Sequence, residues 1–231
     1  MKSQAEVLKG DGESNELSGW DMSDAPGYEA GGAEDPSHES DKRLFEVYEA
    51  SPDDALGIEY MRYQSWLDTY PNDECGLTRE FIEKWFVPQL AEAGMEATRQ
   101  RIAETLDDPD AIQLVAKDDS GKVIGTARAT RGEKGRKVFM FYVDKSAHGT
   151  GVSSEIMTGL LGWLGDEEDI SLTIASYNER ARAFYKKFGF NEVGEPAVLD
   201  VPNMPEQKMV RSGKKENLSD IGSAYTTELA A

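Results

Sequence analysis

Two glycines separated by one residue follow a strongly apolar stretch near the middle of the chain. The apolar stretch spans residues 138–143, and Val152 and Ile156 begin a helical repeat of apolar residues after it. Between these patterns lie Gly149 and Gly151, whose missing Cβ atoms permit a sharp turn and let a ligand approach the backbone. The free N–H groups and the dipole of a helix N-terminus attract an anion. The segment therefore predicts either a phosphate-binding turn or a strand-to-helix turn that merely requires glycine.

A tyrosine and an asparagine in the next strand and helix add groups that could do chemistry. Asn178 is a favourable helix N-cap, and Gly189 is placed to end the helix in the left-handed conformation. The apolar residues between them recur at helical spacing: Ala181, Phe184, Tyr185 and Phe188. A tyrosine hydroxyl, with its ordinary pKa near ~10, is protonated at neutral pH and can donate a proton. Tyr185 is therefore a candidate acid or a core aromatic, and Asn178 a candidate ligand or only a cap.

Two other phosphate-binding motifs do not fit these residues. A P-loop requires Lys followed by Ser or Thr after its second glycine, and no such pair occurs at this turn. A dinucleotide-binding fingerprint requires an acidic residue at the end of the next strand to hold a ribose. The next apolar run, residues 170–175, is followed by Ser-Tyr-Asn, and Asp169 precedes it at the wrong end of the sheet. Neither a P-loop nor a dinucleotide site is predicted.

Taken together, the two segments resemble the motifs of the GNAT family of N-acetyltransferases. In the first motif Val143 and Asp144 lead into residues 148–153, with His148 where the family has Arg or Gln and Ser153 where it has Gly or Ala. In the second motif the family's Asn, Ala, Phe-Tyr and Gly-Phe are matched by Asn178, Ala181, Phe184, Tyr185, Gly189 and Phe190. The resemblance implies that acetyl-CoA is the cosubstrate and that its acetyl group passes to an amine.

The resemblance also implies roles for individual residues. Tyr185 is expected to protonate the departing thiolate. The residues expected to bind the cofactor are Tyr142, Val143, His148, Gly149, Thr150, Gly151, Val152, Ser153 and Asn178. The departures at His148 and Ser153 are compatible with this role because backbone N–H groups hold most of the pyrophosphate in the family.

The general base is not assigned from the sequence. Many family members carry a glutamate on the strand before the glycine turn, whereas residues 138–143 contain no carboxylate. An acidic and aromatic stretch, residues 66–74, follows the first predicted helix, in a region that borders the acceptor pocket in the family. Asp68, Asp73 and Glu74 are therefore predicted to bind a cationic acceptor amine, with an ordinary solvated loop as the alternative.

Periodicity along the chain predicts the elements that position these residues. Strands are predicted at residues 44–48, 112–117, 123–130, 138–143, 170–175 and 207–211. Helices are predicted at residues 55–70, at 78–106 with a break near Pro88, and after each of the two motif strands. This order indicates an α/β fold, which the resemblance specifies as a GNAT-type mixed, mostly antiparallel sheet flanked by helices.

Composition divides the chain into one domain and two tails. Residues 1–41 hold eleven acidic residues and two lysines, are rich in Gly and Ser, and show no apolar periodicity, which is typical of a disordered segment. Residues 42–211 have the length of one compact domain, and residues 212–231 are predicted to be a flexible tail. The start of the chain lacks the features of a signal peptide, and no stretch is apolar enough to cross a bilayer.

Charge and cysteine content limit the partners. The formal net charge is -19, which disfavours nucleic acid and favours a basic acceptor, although such a surface also serves solubility. Cys75 is the only cysteine, which excludes an intramolecular disulfide and indicates a cytoplasmic protein. With only His38 and His148 besides, no zinc site is predicted. A monomer and a homodimer both remain open.

The sequence therefore predicts an acetyl-CoA-dependent N-acetyltransferase that acylates a primary amine of a small molecule by direct transfer. Two alternatives remain open. One is a protein N-terminal or lysine acetyltransferase, whose acceptor is a peptide amine. The other is a non-catalytic module that binds acyl-CoA, which the missing strand carboxylate and Ser153 keep in consideration.

Overall fold

The computed structural model describes residues 44–133, 135–198 and 204–214. The predicted acidic tail, residues 1–41, lies outside the described residues, as do residues 215–231 of the predicted C-terminal tail. The elements in chain order are β1 Phe45–Glu49, α1 Ala55–Thr69, α2 Arg79–Leu90, α3 Glu92–Asp107, β2 Ala111–Asp118, β3 Val123–Thr130, β4 Arg136–Val143, α4 Val152–Leu164, β5 Ile170–Ala175, α5 Glu179–Lys187, β6 Asn191–Glu192, β7 Ala197–Val198 and β8 Pro205–Arg211. Every strand and helix predicted from periodicity is present.

The structure departs from the prediction in two places. The long helical segment breaks at Ala91, whose backbone is extended, and Pro88 lies inside α2 rather than at its end. The start of α3 packs closely against this corner. A Cβ atom on Gly94 would collide with the carbonyl oxygen of Pro88, so the close packing requires glycine there. Strands β6 and β7 were not predicted, since each has two residues and shows no apolar alternation.

The strands form one mixed sheet in the order β1-β2-β3-β4-β5-β8-β6, with β7 paired to β8. All neighbouring strands are antiparallel except β4 and β5, which are parallel. The predicted mixed, mostly antiparallel sheet flanked by helices is therefore confirmed.

The parallel pair separates soon after it begins. Strands β4 and β5 pair only through Arg136 with Ile170 and Lys137 with Ser171. Farther along β4, the register with β3 shifts, and Met140 adopts a φ of 54°, which is rare for a residue other than glycine. An irregularity of this kind bends a strand away from its neighbour. A gap therefore opens in the sheet between the carboxyl ends of β4 and β5.

Apolar side chains pack on both faces of the sheet. One face carries Ile156 and Leu160 of α4 against Leu172 of β5. The opposite face carries Ile58 of α1 and Ile102 of α3, together with residues of β2 and β3. Within the described part of the chain, no helix is long and apolar enough to cross a membrane. The two cores hold α1 and α4 on opposite faces of the sheet.

Candidate functional site

The gap between β4 and β5 forms a cleft of about 690 Å³. Its walls are residues 138–143 of β4 and 172–175 of β5. The first turn of α4 and residues along α5 also line the cleft, together with the last turn of α1 and the start of β8. Because both sequence motifs end at this gap, the fold brings their two helix N-termini to one site.

The N-terminus of α4 reaches this cleft after Gly151, which has a φ of 98° and no side chain to cap the helix. Within residues 44–133, 135–198 and 204–214, no side chain accepts a hydrogen bond from the first turn. The N–H of Glu155 is bonded to the carbonyl of Gly151 at 3.0 Å, so helix geometry leaves the amides of residues 152–154 without intrahelical acceptors. Gly149 also has a positive φ of 82°. A Cβ atom at this position would meet no atom of the described residues within 4 Å. The turn therefore presents amides beside open space, as a phosphate site requires.

A histidine and an arginine meet at this turn. The Nη1 atom of Arg180 lies 2.6 Å from Nδ1 of His148, while Nε2 of His148 lies 3.3 Å from the carbonyl oxygen of Val143. Burial and the adjacent Arg180 charge lower the pKa of His148, so the ring is neutral at pH 7. A neutral ring with its proton on Nε2 donates to Val143 and accepts from Arg180. His148 thus holds Arg180 beside the turn, and Lys187 also lines the cleft.

Asn178 and Tyr185 are placed on α5 facing the same cleft. The Oδ1 atom of Asn178 accepts a hydrogen bond from the N–H of Ala181 at 3.0 Å, so the predicted helix cap is present. Tyr185 is 6% exposed and packs edge-on against Phe141 and Phe184, with ring centroids 6.0 and 5.3 Å away. Burial raises the pKa of Tyr185 well above its ordinary value. Its hydroxyl therefore keeps its proton throughout the neutral range.

Most of the residues predicted to bind the cofactor line the cleft. They are Tyr142, Val143, His148, Gly149, Gly151, Ser153 and Asn178. Thr150 is not among the lining residues, and its hydroxyl donates to the carbonyl of Ala147 at 2.8 Å. Val152 is fully buried in the core and is not among the described residues that line the cleft.

The three acids predicted to bind the acceptor lie elsewhere. Asp68 is exposed, pairs with Lys145 at 3.8 Å and lines a second cavity of about 540 Å³. Asp73 and Glu74 are exposed in a short turn after α1 and are not among the described residues that line the cleft. Asn72 caps this turn and pairs with the buried Leu77, which directs the two acids outward.

Sequence reasoning missed Glu206 and Tyr70, which both line the cleft. Glu206 is the second residue of β8, one position before the predicted start of the last strand. Tyr70 follows α1 directly and packs against Trp66 with the rings tilted by 50° and their centroids 4.7 Å apart. Burial and then the nearby charges of Tyr142, Tyr185, Tyr177 and Glu206 raise the pKa of Tyr70. Recognising these residues requires the pairing partner of the last strand, which local periodicity does not provide.

Comparison with protein-family models decides which family has this arrangement. Residues 79–190 match the model described as the acetyltransferase (GNAT) family. This domain belongs to the GNAT family of acetyltransferases. The matched residues extend from α2 to the end of the second motif and include the uncapped turn, Asn178 and Tyr185. No sequence among the curated proteins matches the chain.

Solved structures share the fold of the GNAT domain at low sequence identity. The PaiA N-acetyltransferase of Thermoplasma acidophilum, solved with coenzyme A, has a TM-score of 0.55 and 17% identity, over 71% of this chain and 97% of its own. The ribosomal-protein-S5-alanine acetyltransferase of Vibrio fischeri has a TM-score of 0.55 and 17% identity, over 77% and 97%. A spermidine N-acetyltransferase SpeG chimera from Vibrio cholerae and hSSAT has a TM-score of 0.53 and 14% identity, over 73% and 95%. At these identities the likeness establishes the fold.

Proposed function

We propose that the protein transfers the acetyl group of acetyl-CoA directly to a primary amine of a small molecule. One arrangement supports the proposal: the uncapped N-terminus of α4 and the side chain of Tyr185 line the same cleft. The first binds the anionic part of a cofactor, and the second supplies a proton at the place where a thiolate would leave. A cleft that only bound phosphate would not need a buried, protonated hydroxyl beside it.

The residues of the cleft fit coenzyme A by charge and by available space. The amides of Ser153 and Ser154 and the side chains of Arg180 and Lys187 supply donors and positive charge for a pyrophosphate. Open space above Gly149 allows close approach to the backbone. Ser153 lines the cleft, so its hydroxyl becomes a further donor there. When bound, acetyl-CoA supplies the activated acetyl group.

The chain's own groups can be assigned separate tasks in the reaction. The backbone beside the bend at Met140 lies in the cleft wall, where main-chain N–H groups can polarise a carbonyl. Tyr185 gives its proton to the sulfur as the carbon–sulfur bond breaks. The aromatic packing around Tyr185 excludes water from the departing group. Acetylation of the enzyme itself is not required.

The acceptor class rests on charge, because the fold alone does not select it. Two of the similar structures are named for spermidine and for a ribosomal-protein alanine as acceptors. The formal net charge of -19 attracts cationic amines from solution. Small basic amines such as polyamines and aminoglycosides are therefore the first acceptors to test, with lysine-bearing peptides as the competing class.

Isothermal titration with acetyl-CoA, free CoA and NADH tests the cofactor. We expect acetyl-CoA and CoA to bind and NADH not to bind. Thiol release with spermidine, an aminoglycoside and a lysine-bearing peptide then tests transfer and acceptor class. If neither CoA form binds, the proposed function is wrong; if only the peptide is acetylated, the small-molecule assignment is wrong.

Replacement of Gly151 by alanine is expected to weaken acetyl-CoA binding about tenfold. The φ of 98° costs a residue with a Cβ about 1–2 kcal/mol, and the turn is expected to relieve this strain by a shift that displaces the ligand-binding amides. Gly162→Ala is the matched control, since Gly162 lies inside α4 and its Cβ would meet open space. That variant is expected to gain about 0.5–1 kcal/mol of unfolding free energy and to keep its affinity. Titration calorimetry and urea unfolding measure both quantities. Unchanged acetyl-CoA affinity in Gly151→Ala would show that this turn does not hold the cofactor.

A further inference from the structure

Glu206 is an acidic residue in the wall of the cleft. It is opposite Ala175 in the antiparallel pair formed by β8 and β5, so both side chains point to the sheet face covered by α1. Glu206 and Ala175 both line the cleft. The preceding residue in the lining, Met204, is buried with Trp66 in an apolar cluster. The carboxylate therefore stands at the wall of the cleft beside the end of α1.

The basic and acidic residues of the cleft come from different elements. The cationic residues in the lining are Arg180 and Lys187, both on α5, whereas His148 at the glycine turn is neutral. Among the described residues that line the cleft, Glu206 is the only carboxylate. Two substrates of opposite charge can therefore enter one cleft without competing: an anionic cofactor beside the α5 cations and a cationic acceptor at Glu206.

Aromatic side chains also line the cleft. The ring of Tyr70 packs at a tilt against Trp66. The carbonyl oxygen of Tyr70 accepts a hydrogen bond from the Tyr177 hydroxyl at 3.1 Å, which fixes the end of α1. Tyr70 and Trp66 pack in the same apolar cluster as Ala175, which is opposite Glu206 in the sheet. Tyr142 lines the same region. Rings of this kind favour a cation over a neutral group.

The carboxylate of Glu206 has no basic partner in an ion pair within residues 44–133, 135–198 and 204–214. Burial raises the pKa of Glu206, while the Lys137 charge and a hydrogen bond from Thr173 oppose the shift. A partly buried carboxylate that lacks a cation gains free energy when a ligand supplies one. A cationic acceptor would therefore supply the ion-pair partner that the Glu206 carboxylate lacks among the described residues.

We infer that Glu206 is the residue that receives the acceptor, pairing with a primary alkylammonium and taking a proton from its nitrogen during transfer. The inference rests on the proposed function and names the general base and acceptor contact that the sequence left unassigned. The alkyl chain next to the nitrogen lies against Trp66 and Tyr70. Asp68, Asp73 and Glu74 have no part in holding the reacting amine.

The step balances in atoms and charge. The acceptor enters as an ammonium ion and gives one proton to the Glu206 carboxylate. The nitrogen then forms a bond to the acetyl carbonyl carbon, and the carbon–sulfur bond breaks. Tyr185 protonates the sulfur, and the second nitrogen proton restores the tyrosine through solvent. The products are the amide, free CoA and one proton, which Glu206 returns to solvent.

Thioethers of coenzyme A test the inference without knowledge of the natural acceptor. S-(2-aminoethyl)-CoA carries an ammonium group where S-propyl-CoA carries a methyl group of similar size, and S-(3-aminopropyl)-CoA with S-butyl-CoA extends the series by one carbon. Titration calorimetry gives the dissociation constant of each for the wild type and for Glu206→Gln, Asp68→Asn and Glu192→Gln. We expect the wild type to prefer the ammonium member of at least one pair by about tenfold.

Glu206→Gln is expected to bind the neutral thioethers as the wild type does, which shows that it is folded, and to lose the preference for ammonium. Asp68→Asn and Glu192→Gln are expected to keep it. The inference is wrong if the wild type binds both members of each pair equally, if Glu206→Gln retains the preference, or if Asp68→Asn removes it. Absence of binding of every thioether and of acetyl-CoA to the wild type would overturn the proposed function, and the inference with it.

Discussion

Tyr185→Phe is expected to lower the turnover number about a hundredfold or more while leaving the dissociation constant of acetyl-CoA unchanged. The substitution removes one hydroxyl and keeps the ring that packs against Phe141, Phe184 and Phe190. The thiolate would then leave without a proton donor in a site sheltered from water. Because the hydroxyl acts only on the departing sulfur, ground-state binding is not affected.

The pH dependence of the wild type follows from the direction of the same pKa. Burial raises the pKa of Tyr185, so the protonated form persists at higher pH than for an exposed tyrosine. Turnover in the wild type should therefore show no decline from loss of this proton between neutral pH and about pH 10, the ordinary tyrosine value. A decline with a midpoint near pH 8 that is absent in Tyr185→Phe would contradict this assignment.

Steady-state thiol release and titration calorimetry provide the two measurements for Tyr185→Phe. Tyr63→Phe is a suitable control, since Tyr63 lies on α1, packs on Phe86 and is not among the described residues that line the cleft. Its turnover is expected to stay within about twofold of the wild type, as for a substitution away from the chemistry. Equal turnover in Tyr185→Phe would remove the tyrosine from the mechanism. Cofactor binding without turnover of any amine by the wild type would favour the non-catalytic module.

The second large effect concerns stability. Glu59 is 1% exposed and accepts hydrogen bonds from Arg62 at 2.6 and 2.8 Å, from Arg101 at 3.0 Å and from the Thr98 hydroxyl at 2.9 Å. Glu59→Gln keeps the size of the side chain but leaves two arginines without their counter-ion. We expect the free energy of unfolding to fall by about 3 kcal/mol, since Arg62 is nearly buried and Arg101 is partly exposed.

Urea unfolding monitored by tryptophan fluorescence measures this change. Glu96→Gln is the matched control, because Glu96 pairs with Arg99 at 3.2 Å on the exposed surface of α3. Its loss should cost less than about 1 kcal/mol. A similar small cost for Glu59→Gln would show that the buried network contributes little. The network also affects the site, because Arg62 lies over the ring of Tyr142 at 5.4 Å.

Much of the fold could be predicted from local pattern. The boundaries of β3 and β5 agree with the predicted segments, and the cap at Asn178 and the positive φ at Gly189 are as expected. Each of these features depends on residues within one turn or one strand. Side-chain periodicity and cap chemistry act over that range, so the sequence specifies them without tertiary contacts.

The strand, turn and helix start of each motif could also be predicted, because they depend on spacing within a short segment. The roles of the glycine turn and of Tyr185 stay predictions that the family resemblance implies. The residues proposed to contact the acceptor could not be predicted in this way. Asp68 lies in the last turn of α1, which lines the cleft, but the cap at Asn72 and the burial of Leu77 leave Asp73 and Glu74 exposed to solvent. Which face of a loop is buried depends on what packs against it, and periodicity does not carry that information.

The sequence by itself therefore determined the family resemblance, through its two motifs, and the order of elements, which follows from contacts near in the chain. The cofactor-binding roles of individual residues stay predictions. Only the tertiary structure decided where the cleft opens and which carboxylate it contains. The bend at Met140 separates β4 from β5, and the pairing of β8 with β5 brings Glu206 opposite Ala175 in the wall of the cleft. Strand register between distant segments is set by the packing of the whole sheet, so no local pattern predicts which side chains meet across it.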